Sequence, residues 1–133
     1  MKNAGNAKID GVLVQKMVQK GVELIVGGKK DAQFGQLVLF GLGGVFVEIL
    51  KDVSLRVCPI STEDALEMIH EIKGYPVLAG ARGKEPVDEK CLASLLVRTS
   101  RMLYENPGIR ELDFNPVIAQ SKGCVVVDVR MVG

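Results

Sequence analysis

The chain has 133 residues, of which 47% are hydrophobic and 25% charged, a composition typical of one globular domain and not of a disordered chain. Seventeen basic residues stand against sixteen acidic ones, so the sequence lacks the basic excess that marks most nucleic-acid or membrane-surface binders. The three scattered cysteines, the absence of an apolar signal region at the N-terminus and the lack of an apolar run of about 20 residues predict a cytoplasmic protein without a membrane span.

Short β-branched or apolar runs predict strands in the first half of the chain, at residues 12–18, 22–26, 37–40, 45–50 and 53–57. The polar, glycine-rich residues 27–35 predict the turn between the second and the third of these strands. In the last strand, three apolar residues alternate with Ser54 and Arg56. Because successive side chains of a strand point to opposite faces, these two sets are expected on opposite sides of the sheet.

Two amphipathic helices follow these strands. Ser61 predicts the N-cap of the first helix, and Gly74 and Pro76 predict its end. Residues 75–87 predict a loop, after which Asp88 predicts the N-cap of the second helix. The apolar stripe of that helix runs to the Asn-Pro-Gly sequence at residues 106–108, which predicts its end.

Two strands, at residues 109–118 and 124–129, are predicted to close the chain as a hairpin. The order is therefore strands, then two helices, then a terminal hairpin. This order predicts an α+β fold, with a mostly antiparallel sheet that carries the two helices on one face.

The terminal hairpin concentrates polar side chains. Alternation places Glu111, Asp113 and Asn115 on one face of its first strand. If residues 121–122 form the turn, Asn115 lies directly opposite Asp128, and a turn one residue later leaves the two on the same face. Carboxylates at this density repel one another unless a cation neutralises them. Because Mg²⁺ prefers carboxylate and amide oxygens, the pattern predicts a magnesium site.

A solvated sheet face is the alternative interpretation of the same residues. Antiparallel strands that are half polar are common, and spacing alone favours this alternative. In that case the acidic side chains pair with Arg110 or Arg130 across or along the hairpin.

The glycine-rich run at residues 40–46 is a second feature, because glycines let backbone N–H groups approach a phosphate closely. The run matches neither a dinucleotide-binding fingerprint nor a Walker loop, and a tight turn between strands is the favoured interpretation. Arg56 is a candidate ligand for a phosphoryl oxygen, with a surface charge as the alternative. Glu23 is a candidate ligand or an edge charge, and His70, the only histidine, is expected to be structural or exposed.

Taken together, segments of this chain resemble the ATP-grasp domain of the ADP-forming acyl-CoA (acetyl-CoA) synthetases. They are GVLVQKMV at 11–18, GVELIVG at 21–27, DAQFG at 31–35, FGLGGVFVE at 40–48, KDVSLR at 51–56, GARG at 80–83 and LDFNPV at 112–117. The resemblance covers residues 9–130. It divides the chain into a lead-in at residues 1–8 and the C-terminal subdomain of an ATP-grasp domain at residues 9–133.

The resemblance implies a reaction and its cofactors. These enzymes convert acyl-CoA, ADP and phosphate into the free acid, CoA and ATP through an acyl phosphate and a phosphohistidine. Their ATP-grasp domain binds ADP or ATP with Mg²⁺ and exchanges the phosphoryl group with the histidine of a CoA-binding partner. The implied partners are a CoA-binding α-type subunit or an N-terminal ATP-grasp half, and a homo-oligomer is a further hypothesis.

The resemblance also implies residue roles. Asn115 and Asp128 match the magnesium ligands, as in the related succinyl-CoA synthetase β chains, and Asp113 begins the acid-x-Asn motif. Met17 lies in the hinge strand beside the adenine, and Glu23 occupies a nucleotide-site position. The glycines that line the phosphate region are Gly41, Gly43 and Gly44.

The sequence departs from the family pattern in one large respect. The family's N-terminal subdomain, with its phosphate-gripping lysine, has no counterpart here, so we expect the chain to need a complementary half for catalysis. His70 does not align with the family's phosphorylated histidine. Two alternatives to a ligase role are a non-catalytic module that binds a CoA-binding partner and the regulatory ATP-grasp part of a protein acyltransferase.

Overall fold

The computed structural model describes residues 21–43, 52–80 and 85–133. Within these residues six strands form one sheet: β1 (Val22–Asp31), β2 (Gly35–Leu42), β3 (Val53–Val57), β4 (Glu111–Ala119), β5 (Cys124–Val126) and β6 (Val129–Val132). The strand order is β3-β2-β1-β4, and both β5 and β6 pair with the outer edge of β4. All described pairs are antiparallel. The strands predicted at residues 12–18 and 45–50 lie outside the described residues.

The described helices are α1 (Thr62–Glu71), α2 (Tyr75–Leu78) and α3 (Glu89–Glu105). The apolar faces of α1 and α3 pack on one face of the sheet and form the core with alternate residues of the strands. Fully buried members of this core include Leu24, Val26, Val38, Phe40, Ile69, Leu92, Leu96 and Leu103. The predicted α+β architecture, with two helices on one face of an antiparallel sheet, is therefore confirmed. None of the described helices has the length and apolar character needed to cross a membrane.

Both predicted helix starts are confirmed by their caps. The Ser61 hydroxyl accepts a hydrogen bond from the Asp64 N–H, and the Asp64 carboxylate accepts one from the Ser61 N–H, each at 3.1 Å. These reciprocal bonds satisfy backbone donors that the first turn of α1 leaves free. Asp88 accepts from the N–H groups of Cys91 at 3.1 Å and Gly123 at 2.8 Å, and these bonds hold the pKa of its carboxyl below the ordinary range. Asp88 thus joins the start of α3 to the turn after β4.

The loop predicted at residues 75–87 contains the short helix α2, which the sequence pattern did not predict. Pro76 lies in its first turn, where a helix does not need the missing N–H. Leu78 from this helix is fully buried in the core. The proline that was expected to end one helix therefore starts another, and the connection packs against the domain.

The turn predicted at residues 27–35 is wrong in its first part, because residues 27–31 continue β1 and pair with β2, and residues 27–29 also pair with β4. Their glycines are required by close packing and not by a turn. A Cβ atom on Gly27 would lie 2.9 Å from the Leu112 carbonyl oxygen, and one on Gly28 would overlap the Leu103 side chain. Glycine in a strand often marks such a close approach.

The chain turns at residues 32–34 instead. The Asp31 carboxylate accepts hydrogen bonds from the N–H groups of Gln33 at 2.7 Å and Phe34 at 2.9 Å, and these bonds lower the pKa of Asp31. Gly35 follows with a φ of +82°, a conformation that glycine adopts without the steric penalty of a side chain. The two features make a local turn that leads directly into β2.

The polar face of β3 points toward the helices. The strand has the predicted bounds, and Ser54 is buried, where its hydroxyl donates to the Met68 carbonyl oxygen at 3.0 Å. This bond satisfies the hydroxyl, which would otherwise be costly to bury. Leu55 and Val57 lie on the other face and are 42% and 48% exposed. The alternation was predicted correctly, but the apolar side of this strand is the one that faces away from the core.

Asp52 provides a first testable prediction. The side chain is 6% exposed, and its two oxygens accept from the N–H groups of Lys73 at 2.6 Å and Gly74 at 2.7 Å, which ties the start of β3 to the end of α1. We expect Asp52→Asn to lower the free energy of unfolding by about 2 kcal/mol, because a buried N–H then loses its acceptor. Urea unfolding followed by circular dichroism measures this loss.

Asp31→Asn is the matched control, since Asp31 also accepts two backbone N–H bonds but lies at an exposed turn. Water can replace those bonds, so the loss should be clearly smaller. Equal losses in the two variants would show that burial of Asp52 adds nothing to its contribution.

Candidate functional site

The site lies where β4 shifts by one residue against β1. Two residues, Asn115 and Pro116, stand opposite the single residue Ile25. This two-against-one pairing is a β-bulge, a place where a strand tolerates a proline. As a result, Leu112 before the shift and Val117 after it are both buried in the core, although their odd spacing would place them on opposite faces of a regular strand.

The predicted hairpin register is confirmed in its first form. The Gln120 N–H donates to the Gly123 carbonyl oxygen at 3.0 Å, so residues 121–122 form the turn. The Asn115 N–H donates to the Asp128 carbonyl oxygen at 3.2 Å, and the pairs on either side of it keep the same register. Asn115 therefore lies directly opposite Asp128, at the bulge itself.

Both side chains at this position are exposed. One oxygen of Asp128, Oδ1, accepts from the Val129 N–H at 2.9 Å, which fixes the orientation of the carboxylate. Its second oxygen accepts no hydrogen bond from the described residues. The bulge thus presents one carboxylate oxygen and the Asn115 amide to solvent, where an incoming ligand can reach both.

Asp113 lies two residues before Asn115, in a cleft of about 250 Å³. Its partners across the sheet are Arg130 on β6 and Gly27 on β1, and the next pair along β1 and β4 joins Lys29 to Glu111. Gly27 has no side chain, so one flank of Asp113 is open. The cleft combines two carboxylates and two cations that the pairing of β4 with β1 and with β6 brings together.

Sequence reasoning had not assigned Lys29 and Arg130 to the site. Lys29 fell within the predicted turn at residues 27–35, and Arg130 was considered only as an ion-pair partner. The signal for Arg130 was present, because the register that places Asn115 opposite Asp128 also places Asp113 opposite Arg130. The described residues show no ion pair for either acid of the cleft. Arg110, the other expected ion-pair partner, donates from Nε to the Gly133 carbonyl oxygen at 3.0 Å.

The donor set limits the kind of metal site that can form. No group of three or more His, Cys, Asp or Glu side chains within the described residues is arranged to hold a metal ion. The available oxygens come from Asp113 and Asp128 and from the Asn115 amide. Mg²⁺ is commonly bound by one or two carboxylates that share it with substrate phosphates and water. The residues present therefore fit a magnesium ion that is shared with a nucleotide, and not one enclosed by protein ligands alone.

The glycines of the predicted phosphate region have packing roles in the sheet. A Cβ atom on Gly41 would lie 2.8 Å from the Asp52 carbonyl oxygen. The Gly43 N–H donates to the Glu23 carbonyl oxygen at 2.9 Å, and a Cβ atom there would lie 3.3 Å from the same oxygen. Close backbone approach accounts for both glycines, and their contact with a phosphate stays a prediction. Gly44 and Met17 lie outside the described residues.

Glu23 has an exposed side chain in β1, where its neighbours across the sheet are Gly43 and Ile118. Along β1 it is separated from Gly27, the partner of Asp113, by an even number of residues. Because even spacing keeps side chains on one face, Glu23 shares the face that carries Asp113. Its predicted nucleotide contact is compatible with this placement.

Arg56 does not lie near the other predicted site residues. Its Nη2 lies 2.5 Å from Glu71 Oε1 and its Nη1 lies 3.3 Å from Glu71 Oε2, on the side of β3 that faces α1. The Arg56 guanidinium holds the pKa of the Glu71 carboxyl below its usual value. The structure therefore gives Arg56 a partner in the domain, and a nucleotide contact for it stays a prediction.

His70 also has a partner within the domain. Its Nε2 lies 2.7 Å from Glu89 Oε1, its ring meets the Tyr75 ring edge to face, and the Tyr75 hydroxyl donates to Glu89 at 2.7 Å. These contacts join α1, α2 and α3. They agree with the structural role expected for the only histidine.

Comparison with known proteins identifies the class of this domain. A family model described as an ATP-grasp domain matches residues 1–132, and the chain belongs to that family. It is 53% identical over 99% of its length to the β subunit of acetate–CoA ligase (ADP-forming) I of Pyrococcus furiosus. It is 41% identical over 94% of its length to 4-hydroxybutyrate–CoA ligase (ADP-forming) of Nitrosopumilus maritimus. The resemblance stated from the sequence motifs is confirmed.

A solved structure gives the same result. Dinucleotide-forming acetyl-coenzyme A synthetase 1 of Ca. Korarchaeum cryptofilum, in complex with coenzyme A and Mg-AMPPCP, matches with a TM-score of 0.82 and 54% identity over 84% of this chain. In that protein the phosphohistidine segment points towards the nucleotide-binding site. The present chain spans 59% of the Pyrococcus subunit, 18% of the Nitrosopumilus protein and 53% of the Korarchaeum chain.

The Arg56–Glu71 pair predicts a pH dependence of stability. Since the pKa of Glu71 in the folded chain lies below its ordinary value of 4.5, the pair stabilises the fold above pH 4.5 and loses this effect as the pH falls through the folded pKa. Glu71→Gln lacks the effect at every pH. We therefore expect the difference in free energy of unfolding between wild type and variant to be largest at neutral pH and to vanish in acid, as measured by urea unfolding across a pH series.

Glu67→Gln is the control, because Glu67 lies 3.8 Å from Arg56 and is more exposed than Glu71. Its effect should be smaller at every pH, since exposed pairs are weakened by solvent. A difference for Glu71→Gln that grows in acid would contradict the assigned pair.

Proposed function

We propose that this chain supplies one wall of the nucleotide and magnesium site of an ADP-forming acid–CoA ligase. The observation that carries the proposal is the direct opposition of Asn115 and Asp128 at the β4 bulge, beside Asp113. The 53% identity to the β subunit of such a ligase supports the same assignment. Under this proposal the bulge faces the phosphate end of ADP or ATP.

The proposed ligands of Mg²⁺ are the free oxygen of Asp128, the amide oxygen of Asn115 and the carboxylate of Asp113. When bound, the ion neutralises phosphate charge and orients the transferred group. The bond from the Val129 N–H to Asp128 Oδ1 supports this role, because it holds the carboxylate in one orientation before a ligand arrives. Fixed ligands reduce the reorganisation that binding requires.

Lys29 and Arg130 are proposed to attract and position the phosphate oxygens. Both line the cleft that contains Asp113 and Glu111, so the cleft carries as many cations as carboxylates. A site that binds a polyphosphate needs cationic side chains as well as the metal to neutralise the phosphate charge, because phosphoryl transfer depends chiefly on electrostatic stabilisation and positioning. Arg130, with its planar guanidinium, suits two phosphate oxygens at once.

The remaining nucleotide contacts are proposed for residues on the same face of the sheet. We assign Glu23, Gly41 and Gly43 to this group, and we extend it to Met17 and Gly44 on the basis of the family motifs. Arg56 is not assigned, because its guanidinium is bound to Glu71 on the opposite face.

The proposed reaction is the conversion of acyl-CoA, ADP and phosphate into the free acid, CoA and ATP. In the Korarchaeum synthetase a phosphohistidine segment points towards the nucleotide site. By analogy, we propose that the phosphoryl group reaches this site on a histidine of a CoA-binding α-type subunit, with an N-terminal ATP-grasp part completing the nucleotide cleft. The reaction uses intracellular metabolites, so we expect the protein to act in the cytoplasm.

Calorimetric titration of this chain with ADP tests the proposal. Wild type should bind ADP in the presence of Mg²⁺ and lose binding when EDTA removes the metal. Asp128→Asn should weaken the magnesium-dependent binding by about tenfold or more, because a metal ligand loses its charge. Asn115→Asp keeps an oxygen ligand at the same place and should retain magnesium-dependent binding.

Glu63→Gln is the matched control, since it removes an exposed carboxylate of α1 on the other side of the sheet and should leave ADP binding unchanged. Circular dichroism checks that each variant is folded. Absence of magnesium-dependent ADP binding to the folded wild-type chain, or indifference of that binding to Asp128→Asn, would contradict the proposed site.

A further inference from the structure

A second concave surface lies on the opposite side of the sheet from Asp113. It is a groove of about 330 Å³ between α1 and α3, which we call the α1–α3 groove. Its apolar lining residues are Leu66, Ala93 and Val97, and its charged lining residues are Lys90, Arg98 and Arg101. None of the nucleotide-site residues proposed above belongs to it.

The charges in this groove are uniformly positive. No acidic residue is present among the described residues that line it, although α1 and α3 carry several glutamates elsewhere. Two of these glutamates, Glu67 and Glu71, lie at Arg56 and not in the groove. The acidic and basic side chains of the helix layer are therefore separated on its surface.

Arg98 and Arg101 are the uncompensated charges of the groove. They lie one helical turn apart, a spacing at which like charges destabilise a helix slightly. Neither guanidinium has an ion pair or a side-chain hydrogen bond among the described residues. The groove also contains Thr62, the first residue of α1.

Lys90 differs from the two arginines in its position, because it lies two residues after Asp88, the N-cap of α3. It lines the groove at the opposite end from Arg101. Both ends of the groove therefore carry positive side chains.

The length of the groove selects an extended ligand. From Lys90 to Arg101 the helix advances by eleven residues, which corresponds to about 16 Å along its axis. A single phosphate or carboxylate cannot contact both ends, whereas about five residues of extended polypeptide cover this distance. Such a segment can place apolar side chains on Leu66, Ala93 and Val97 and carboxylates at the cationic ends.

We propose that the α1–α3 groove is a docking site for an acidic peptide segment of a partner protein, with apolar residues between its acidic ends. Charge complementarity and the apolar floor provide the recognition. The groove lies on the helix side of the sheet, and its occupation does not require the nucleotide site. The groove proposal and the nucleotide-site proposal can therefore be tested independently.

The test uses this chain and a labelled, capped synthetic peptide, Glu-Glu-Leu-Ala-Leu-Glu-Glu, as the probe. Fluorescence anisotropy should show saturable binding that weakens with salt, and the largest amide shifts in NMR spectra should fall on Ala93, Val97 and Arg98. The double variant Arg98→Glu, Arg101→Glu should bind the peptide at least about tenfold more weakly, because two attractive charges become repulsive. Magnesium-dependent ADP binding to the same variant serves as the separate readout of the nucleotide site.

The control double variant is Lys73→Glu, Lys122→Glu, which changes the net charge equally at exposed positions outside the groove. It should bind the peptide as wild type does. If the glutamate variant fails to fold, Arg98→Gln with Arg101→Gln replaces it, and the weakening should persist. Equal weakening in the control would reduce the effect to net charge and overturn the proposal.

Three further outcomes would overturn it. One is absence of saturable peptide binding to wild type. Another is displacement of the peptide by tripolyphosphate with the same amide shifts, which would make the groove a site for phosphate anions. The third is concentration-dependent self-association in sedimentation that the arginine variants abolish, which would make a second copy of this chain the occupant.

Discussion

The bulge at Asn115 and Pro116 sets the geometry of the site, because it lets β4 keep apolar residues against the helices on both sides of a one-residue shift. Without the extra residue, regular alternation would turn either Leu112 or Val117 away from the core. The hydrophobic core therefore stabilises the bulge, and the bulge places Asn115 outside the regular alternation. Core packing and site geometry therefore depend on the same bulge. This dependence explains how exposed polar groups keep a defined position on the open face of the sheet.

The outer strand follows this irregularity. β5 and β6 both pair with β4 in a single continuous register, and the break between them falls at residues 127–128, opposite the bulge. Both β4 and the outer strand are thus irregular at the same position, and Asp128 stays opposite Asn115. The pair is preserved because the distortion is shared by both strands and not absorbed by one.

The two faces of the sheet have different physical roles. One face is covered by α1 and α3 and forms the apolar core. The other carries the exposed Leu55 and Val57 at one edge and the polar cleft of Asp113 and Arg130 toward the other. An apolar zone therefore lies beside a charged one on this open face.

Much of this arrangement could be predicted from the sequence, for reasons that are local. Ser61 and Asp88 cap helices through contacts with residues a few positions away, and the turn residues restrict the hairpin to two registers, of which the structure has the one with its turn at residues 121–122. Local chemistry decides such features, so pattern reasoning finds them.

Other features depend on distant partners and escaped that reasoning. The glycines at positions 27 and 28 resembled a turn, but they are small because Leu112 and Leu103 approach them from elsewhere in the chain. The orientation of Arg56 likewise depends on a distant partner, because its guanidinium binds Glu71 on α1. The bulge had a sequence signal in Pro116, since a proline within a paired strand indicates an irregularity, but the residue opposite it could come only from the structure.

The cross-strand partners of Asp113 and Asp128 indicate which charges of the proposed site the protein would neutralise and which a ligand would neutralise. Asp113 lies opposite the cation Arg130 in the register of β4 and β6, although the two side chains form no ion pair among the described residues. Asp128 lies opposite the neutral amide of Asn115, and its free oxygen has no cation across the strand. Under the proposed function, a divalent ion would therefore gain more at Asp128, whereas Arg130 would stay available for phosphate oxygens. Because the described protein donors alone do not complete a coordination shell, the proposed site requires metal and nucleotide to stabilise each other's binding.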